Sequence, residues 1–226
     1  MGALVIVLVI AMFLLPPHWL FSLASWVAPR AIYFGETSEP VIALTIDDGP
    51  NATTTPEILA TLARYQVKAT FFSISSNIAG NESLMLETVR QGHELGNHMI
   101  EDRASIRLSS EEFTTSLLQA KEALGQFAET RWFRPGMGWY NSEMIAIAAQ
   151  HNYKTVLGSV FPYDTHLPFP WFASQFILAN VRPGAIIVLH DGEGRGKRAA
   201  MTLHKVIPKL QSQGYQFVTL SQLLTK

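Results

Sequence analysis

The sequence contains no cysteine. That excludes disulfides, thiolate-bound zinc and a thiol nucleophile, so any metal must be held by His, Asp or Glu, and the redox compartment stays open. An excess of either charge is also missing: 17 Lys+Arg stand against 18 Asp+Glu. Such a balance offers nucleic acid no electrostatic attraction. Internal repeats and low-complexity tracts are absent. Finally, no Asp, Glu, Lys or Arg precedes Arg30. As a helix, the apolar run from Ala3 to Val27 would reach ~37 Å, enough to cross a ~30 Å hydrocarbon core, with Pro16 and Pro17 as a kink or break. The stretch from Ala3 to Leu15 also has the length of a signal-peptide core, but no basic segment precedes it and no clear A-x-A site follows. Residues 1–30 are therefore expected to form an uncleaved single-pass membrane anchor, with the remaining domain extracytoplasmic, or secreted if the segment is cleaved.

What is present suits one globular domain: 226 residues, 48% of them hydrophobic. Residues 31–40 turn polar and read as a linker into a domain over 41–226. From there β-like and helix-like stretches alternate. VIALTID (41–47) is an apolar, β-branched run stopped by Asp-Gly-Pro. TTTPEILATLARYQ follows it, with Pro56 and Glu57 at a helix start. Further strands are expected at 68–74, 93–98, 131–135, 153–160, 184–190 and 215–220. Helices are expected at 82–91, 110–126, 141–151, 171–180 and 197–213. This alternation implies mostly parallel pairing, as a closed or nearly closed β/α barrel or, alternatively, an open doubly wound sheet.

In either architecture the functional groups belong where strands end. Asp47 and Asp48 end the first strand, His98 ends another and Arg134 closes RWFRP. Asp164 lies just beyond YKTVLGSV, and His190 and Asp191 end GAIIVLH. Each has a bland reading: Asp-Asp-Gly-Pro is usually a turn, a lone histidine is usually satisfied, and Arg134 with Asp164 would make an ordinary ion pair. Their convergence on one rim outweighs those readings. HELGNH resembles a zinc helix, but its histidines are five apart, ~140° around a helix and on opposite faces of a strand. EGRGKR suggests a phosphate loop but lacks the required Gly and Ser/Thr, and so leads into the last long helix.

TIDDGP, GNHMIED, RWFRPGMG, FPYD and IIVLHDG, in this order, resemble the five motifs of the polysaccharide deacetylases, carbohydrate esterase family four. The resemblance covers Val41 to the C-terminus. It implies a distorted, incomplete β/α barrel of about seven parallel strands, one divalent metal, usually zinc, and hydrolysis of N-acetyl groups of amino sugars in chitin or peptidoglycan. By position, Asp47 resembles the general base, Asp48 and His98 resemble metal ligands, and Arg134 resembles the arginine that orients the base. His190 resembles the general acid and Asp164 the carboxylate paired with it. Met137 would offer its main-chain N–H to the oxyanion, and Leu189 would line the pocket for the acetyl methyl.

The family's second metal-binding histidine is replaced here by Asp102, with Met99 in place of the usual hydroxyl residue and Glu101 as a fallback donor. A carboxylate binds zinc at ~2.0–2.2 Å. Two carboxylates and one histidine nevertheless make a harder site, which shifts preference toward Mn or Mg, with Co also possible. A tryptophan that often follows the fourth motif is Thr165 here, leaving Phe161, Trp139 or Trp171 as the apolar wall. The expected function is metal-dependent N-deacetylation of a glycan. The alternatives are a membrane-anchored glycan-binding protein that has lost hydrolysis, and a hydrolase of a small non-peptide amide.

Overall fold

The computed structural model describes residues 30–224 together with Leu23 and Trp26. Eight strands form one sheet among the described residues: β1 (Ala31–Ile32), β2 (Val41–Asp47), β3 (Thr70–Ser73), β4 (Glu94–Asn97), β5 (Trp132–Phe133), β6 (Lys154–Val156), β7 (Ile186–His190) and β8 (Gln216–Val218). Their order is β1-β6-β5-β4-β3-β2-β7, with β8 paired to the start of β2. Every strand pair is parallel. All seven residues of β2 are buried. A central parallel strand covered on both faces needs an unbroken apolar run, and VIALTI supplies it.

Between the strands lie α1 (Thr55–Arg64), α2 (Glu82–Arg90), α3 (Ser110–Gly125), α4 (Ser142–Gln150), α5 (Pro170–Asn180), α6 (Arg195–Ser212) and α7 (Leu220–Leu224). Local sequence sets their starts. Pro56 opens α1, where the missing N–H costs nothing. Ser109 and Glu112 form a reciprocal capping box on α3, and Asn141 accepts from the Met144 N–H at the start of α4. The apolar faces of α1, α5 and α6 cover one side of β2 and β7 in the main core, around Ile46, Leu62, Ile177 and Leu203. A second cluster, with Phe72, Trp132, Val156 and Ile186, fills the space enclosed by the strands, and Leu220 and Leu223 of α7 plug it.

The barrel closes irregularly. β6 does not pair with β7; instead the chain beyond β6 swings over, with Ser159 N donating to Ile186 O at 3.0 Å and Val188 N to Val160 O at 3.0 Å. Gly158 makes the crossing: its φ is +119°, and a Cβ there would lie 2.7 Å from a Val188 methyl and 3.1 Å from Ile186 O. The strand expected at 153–160 is thereby cut to Lys154–Val156. Residues 31–35, within the polar stretch, contribute β1 and a bridge from Phe34 to Ala185.

The anchor expected over residues 1–30 lies, apart from Leu23, Trp26 and Arg30, outside the described residues. Among those described, no helix is long and apolar enough to cross a membrane. The longest of them, α6, spans 18 residues and carries five Lys or Arg side chains, whereas a span needs about 20 predominantly apolar residues. The single-pass membrane assignment is corrected on this finding, and with it the membrane as a partner.

Candidate active site

Because the strands run parallel, all their C-terminal ends open on one side, into a cleft of about 440 Å³. Asp47 ends β2, and its side chain meets Arg134, which follows β5. Arg134 Nη1 donates to Asp47 Oδ1 at 2.5 Å and to Thr45 Oγ1 at 2.8 Å, while Nε donates to Val156 O at 3.1 Å. The guanidinium also stacks 4.1 Å over Phe72. Both partners are almost completely buried, at 3% and 2% exposure. Three anchors and a ring thus fix the arginine, and the arginine fixes the carboxylate. Burial lowers the guanidinium pKa, opposed by Asp47 and Asp48.

His190 ends β7, in register with Asp47. Asp164, in the loop beyond β6, grips it twice: Oδ2 accepts from the His190 backbone N–H at 2.9 Å, and Oδ1 lies 3.0 Å from Nδ1. Burial alone would push the ring's pKa down, but Asp164, with Asp47 and Asp48 nearby, outweighs it and raises the pKa to about 9. At neutral pH the ring is therefore charged, with Nε2 left as a proton donor.

Asp48 and His98 form the third group. Asp48 sits past the end of β2 at φ 73°, a left-handed conformation that costs a non-glycine residue energy and turns its carboxylate out of line with the strand. His98 Nδ1 donates to Arg134 O at 2.8 Å, which fixes the tautomer and turns Nε2 toward Asp48 Oδ1 at 3.4 Å. Burial disfavours charge on both. Their mutual contact, helped by Asp47 for His98 and by His190 and Arg195 for Asp48, still lowers the Asp48 pKa and raises that of His98. On the other flank, Arg195 Nη1 lies 3.0 Å from Asp48 Oδ2, and Arg195 Nη2 lies 3.9 Å from Asp102 Oδ2.

The polysaccharide deacetylase family model matches residues 34–156. The chain belongs to the polysaccharide deacetylase family. It is 35% identical over 190 residues to a peptidoglycan-N-acetylglucosamine deacetylase of Bacillus cereus, covering 83% of this chain and 89% of the relative. Among solved structures it resembles the Bc1960 peptidoglycan N-acetylglucosamine deacetylase, with a TM-score of 0.84 and 28% identity over 89% of this chain and 96% of that one. It also resembles a pseudoenzyme of the same family, CE4, from Bacillus anthracis, with a TM-score of 0.78 and 28% identity over 85% of this chain and 68% of that one. The family and the distorted parallel barrel agree with the motif reading, as does a hydrolase of the deacetylase type.

Whether this deacetylase fold can hold a divalent metal is testable on its donors. Two ligands at ~2.0–2.1 Å from a tetrahedral cation stand ~3.3–3.4 Å apart. The 3.4 Å between Asp48 Oδ1 and His98 Nε2 fits such an edge, and the fixed His98 tautomer presents the correct nitrogen. Asp102 suits by donor type and lines the same cleft, but its side chain is 44% exposed and faces Arg195. Among the described residues no three His, Asp or Glu side chains are gathered closely enough to hold an ion. Asp48 and His98 stand at a spacing that suits two ligands, and Asp102 lies across the Arg195 guanidinium from them.

The remaining expected residues divide. Met137 lines the cleft, in a left-handed conformation at φ 57°. Leu189 does not: it is fully buried in the main core. Side chains alternate along β7, so Val188 and His190 face the cleft and Leu189 faces away from it. Trp139 and Phe161 stand at the cleft, whereas Trp171 is not part of its lining. His93 is structural, accepting from the Ala69 N–H at 3.2 Å, and burial lowers its pKa to about 4.

Two residues that the sequence reading passed over belong to the site. Thr45 steadies Arg134; its position two residues before Asp47, on the same strand face, was the available signal. Arg195, inside the EGRGKR segment, starts α6 beside Asp48, and only tertiary folding puts it there.

Proposed function

We propose that the chain hydrolyses the N-acetyl group of an amino-sugar glycan of the peptidoglycan or chitin-oligomer class. The observation that carries this reading is the pairing of Asp47 with His190 across neighbouring strands, each held by its own partner, Arg134 for the carboxylate and Asp164 for the imidazole. One group is arranged to accept a proton and the other to donate one. A divalent cation, zinc or alternatively Mn, Co or Mg, held by Asp48 and His98 with Asp102 as third donor, would supply positive charge to polarise the acetyl carbonyl.

The chain's own groups account for the proton movements. Asp47 takes a proton from the attacking water as its oxygen bonds to the acetyl carbon. The oxyanion is met by the Met137 N–H, a contact of a kind worth ~2.7–4 kcal/mol in other hydrolases. His190 Nε2 gives its proton to the departing nitrogen, the C–N bond breaks, and acetate and a free amine leave. Trp139, 63% exposed at the cleft, and Phe161 offer faces on which a sugar ring can rest. A glycan rather than a small amide is further supported by the B. cereus relative named for peptidoglycan N-acetylglucosamine.

The test is acetate release from N-acetylglucosamine oligomers and from peptidoglycan, measured across a panel of divalent cations. Asp47→Asn and His190→Ala should each remove activity. Undiminished rates in either variant would end the assignment. Glycan binding with no acetate from any substrate or cation would leave the binding-protein alternative instead.

A further inference from the structure

We infer that Arg195 is a built-in cation of the metal site, which a divalent metal must displace before Asp48, His98 and Asp102 can act as one ligand set. The inference rests on the deacetylase reading for the identity of the site. Its own basis is the arrangement of four side chains. The two oxygens of Asp48 are divided, Oδ1 toward His98 and Oδ2 toward Arg195. The guanidinium reaches Asp102 with its other nitrogen, so it lies between two carboxylates that a metal would need to share.

Arg195 is an unexpected residue at that place in the chain. It is the first residue of α6, an N-terminus whose partial positive charge disfavours a cation. The carboxylates, not the helix, hold it there. It is also placed to leave, since its side chain is 34% exposed and Gly192 and Gly194 precede it. A doubly charged ion arriving at Asp48 Oδ1 and His98 Nε2 would face this fixed positive charge a few ångströms away, and water at the cleft mouth would screen only part of the repulsion. Swinging the guanidinium outward would remove the repulsion and release Asp102 in one movement. Metal affinity is then set by a competition inside the protein, and it would remain low for a site whose donors are otherwise suitable.

Isothermal titration of the metal-free full chain with Zn²⁺ tests this directly. Arg195→Gln should bind Zn²⁺ about tenfold more tightly than the native chain, with Arg195→Lys in between because its charge is retained on a shorter stem. Adding Asp102→Ala to Arg195→Gln should cancel most of the gain, because Asp102 would by then be a ligand. Equal or weaker Zn²⁺ binding by Arg195→Gln, with an unchanged circular dichroism spectrum, overturns the inference. Should that variant not fold, an Arg195→Lys affinity no greater than native does the same. Acetate release, followed separately, distinguishes the two readings: tighter Zn²⁺ binding without acetate supports the competition and removes the deacetylase reading, while acetate release with unchanged affinity does the reverse.

Discussion

Asp47 and His190 are register partners on the adjacent parallel strands β2 and β7. Parallel pairing in register places both side chains at the same height on the same face. Both side chains therefore open on one cleft, each held by a partner from a neighbouring segment, Arg134 for Asp47 and Asp164 for His190.

The first consequence concerns Arg134. It and Asp47 are an almost fully buried ion pair, so removing one partner strands the other. Arg134→Leu should lose ~3–5 kcal/mol of stability, measured by chemical denaturation. Asp47→Asn keeps the shape but removes the charge that balances Arg134, so it should also lose stability, while deacetylation falls by ~10²–10⁴-fold, more than the lost folded fraction explains. A variant that loses stability and activity in proportion would assign Asp47 to structure alone.

The second concerns pH. The His190 pKa is raised from its ordinary 6.5 to about 9, so the ring remains charged up to that pH. Deacetylation should hold through the neutral range and decline on the alkaline side near pH 9. Asp164→Asn should bring that limb down by one unit or more, read from kcat against pH. The sign for stability follows from the same shift: the contribution of charged His190 is complete below pH 6.5 and is lost as pH rises from there through about 9. Denaturation midpoints of the native chain and His190→Gln should converge across that window.

Gly136 supports a third prediction. A Cβ at this position would fall 2.0 Å from the backbone oxygen of Arg103, so Gly136→Ala must push apart two loops that carry Arg134, Met137 and Asp102. A loss of ~1–3 kcal/mol is expected, together with reduced kcat, because the cleft wall moves. Unchanged thermal unfolding would show that the two loops separate without cost.

Trp139 supports a fourth. It is exposed, lines the cleft and has no part in the core. Trp139→Ala should raise KM for N-acetylglucosamine oligomers by roughly 3- to 10-fold, as expected when an aromatic face is lost, with the melting temperature unchanged. An unaltered KM would place the sugar elsewhere on the rim.

Most of the barrel could be read in advance because each strand carries its own evidence. VIALTID is apolar over its whole length and stops at Asp-Gly-Pro, and β2 has those bounds. Six of the seven described helices fall within one or two residues of their expected places, since Pro56, Ser109 with Glu112, and Asn141 mark starts locally; α7 (Leu220–Leu224) was not foreseen, and the strand expected over 215–220 ends at Val218. Where a segment's conformation depends on a distant neighbour, the reading was less complete. Nothing within YKTVLGSV announces that Gly158 will cross over β7, and nothing within residues 31–35 announces that they pair with β6 and Ala185.

The site divides along the same line. Asp47, Asp48, His98, Arg134, Asp164 and His190 were each visible as an ionisable group at or just past a strand end, because parallel strands bring all such ends to one rim. Leu189 was assigned by position to the cleft, and the alternation along β7 turns it into the core. What the sequence alone determined was therefore the inventory at the rim: which acids, histidines and arginine arrive there, and that Asp102 stands in place of a histidine. The tertiary structure decided which of them meet. Arg195 lies outside the motifs, and its contact with Asp48 and Asp102 arises only when the start of α6 folds against the loops after β2 and β4. Long-range electrostatic contacts of this kind depend on distances through space, and residue order along the chain does not encode them one segment at a time.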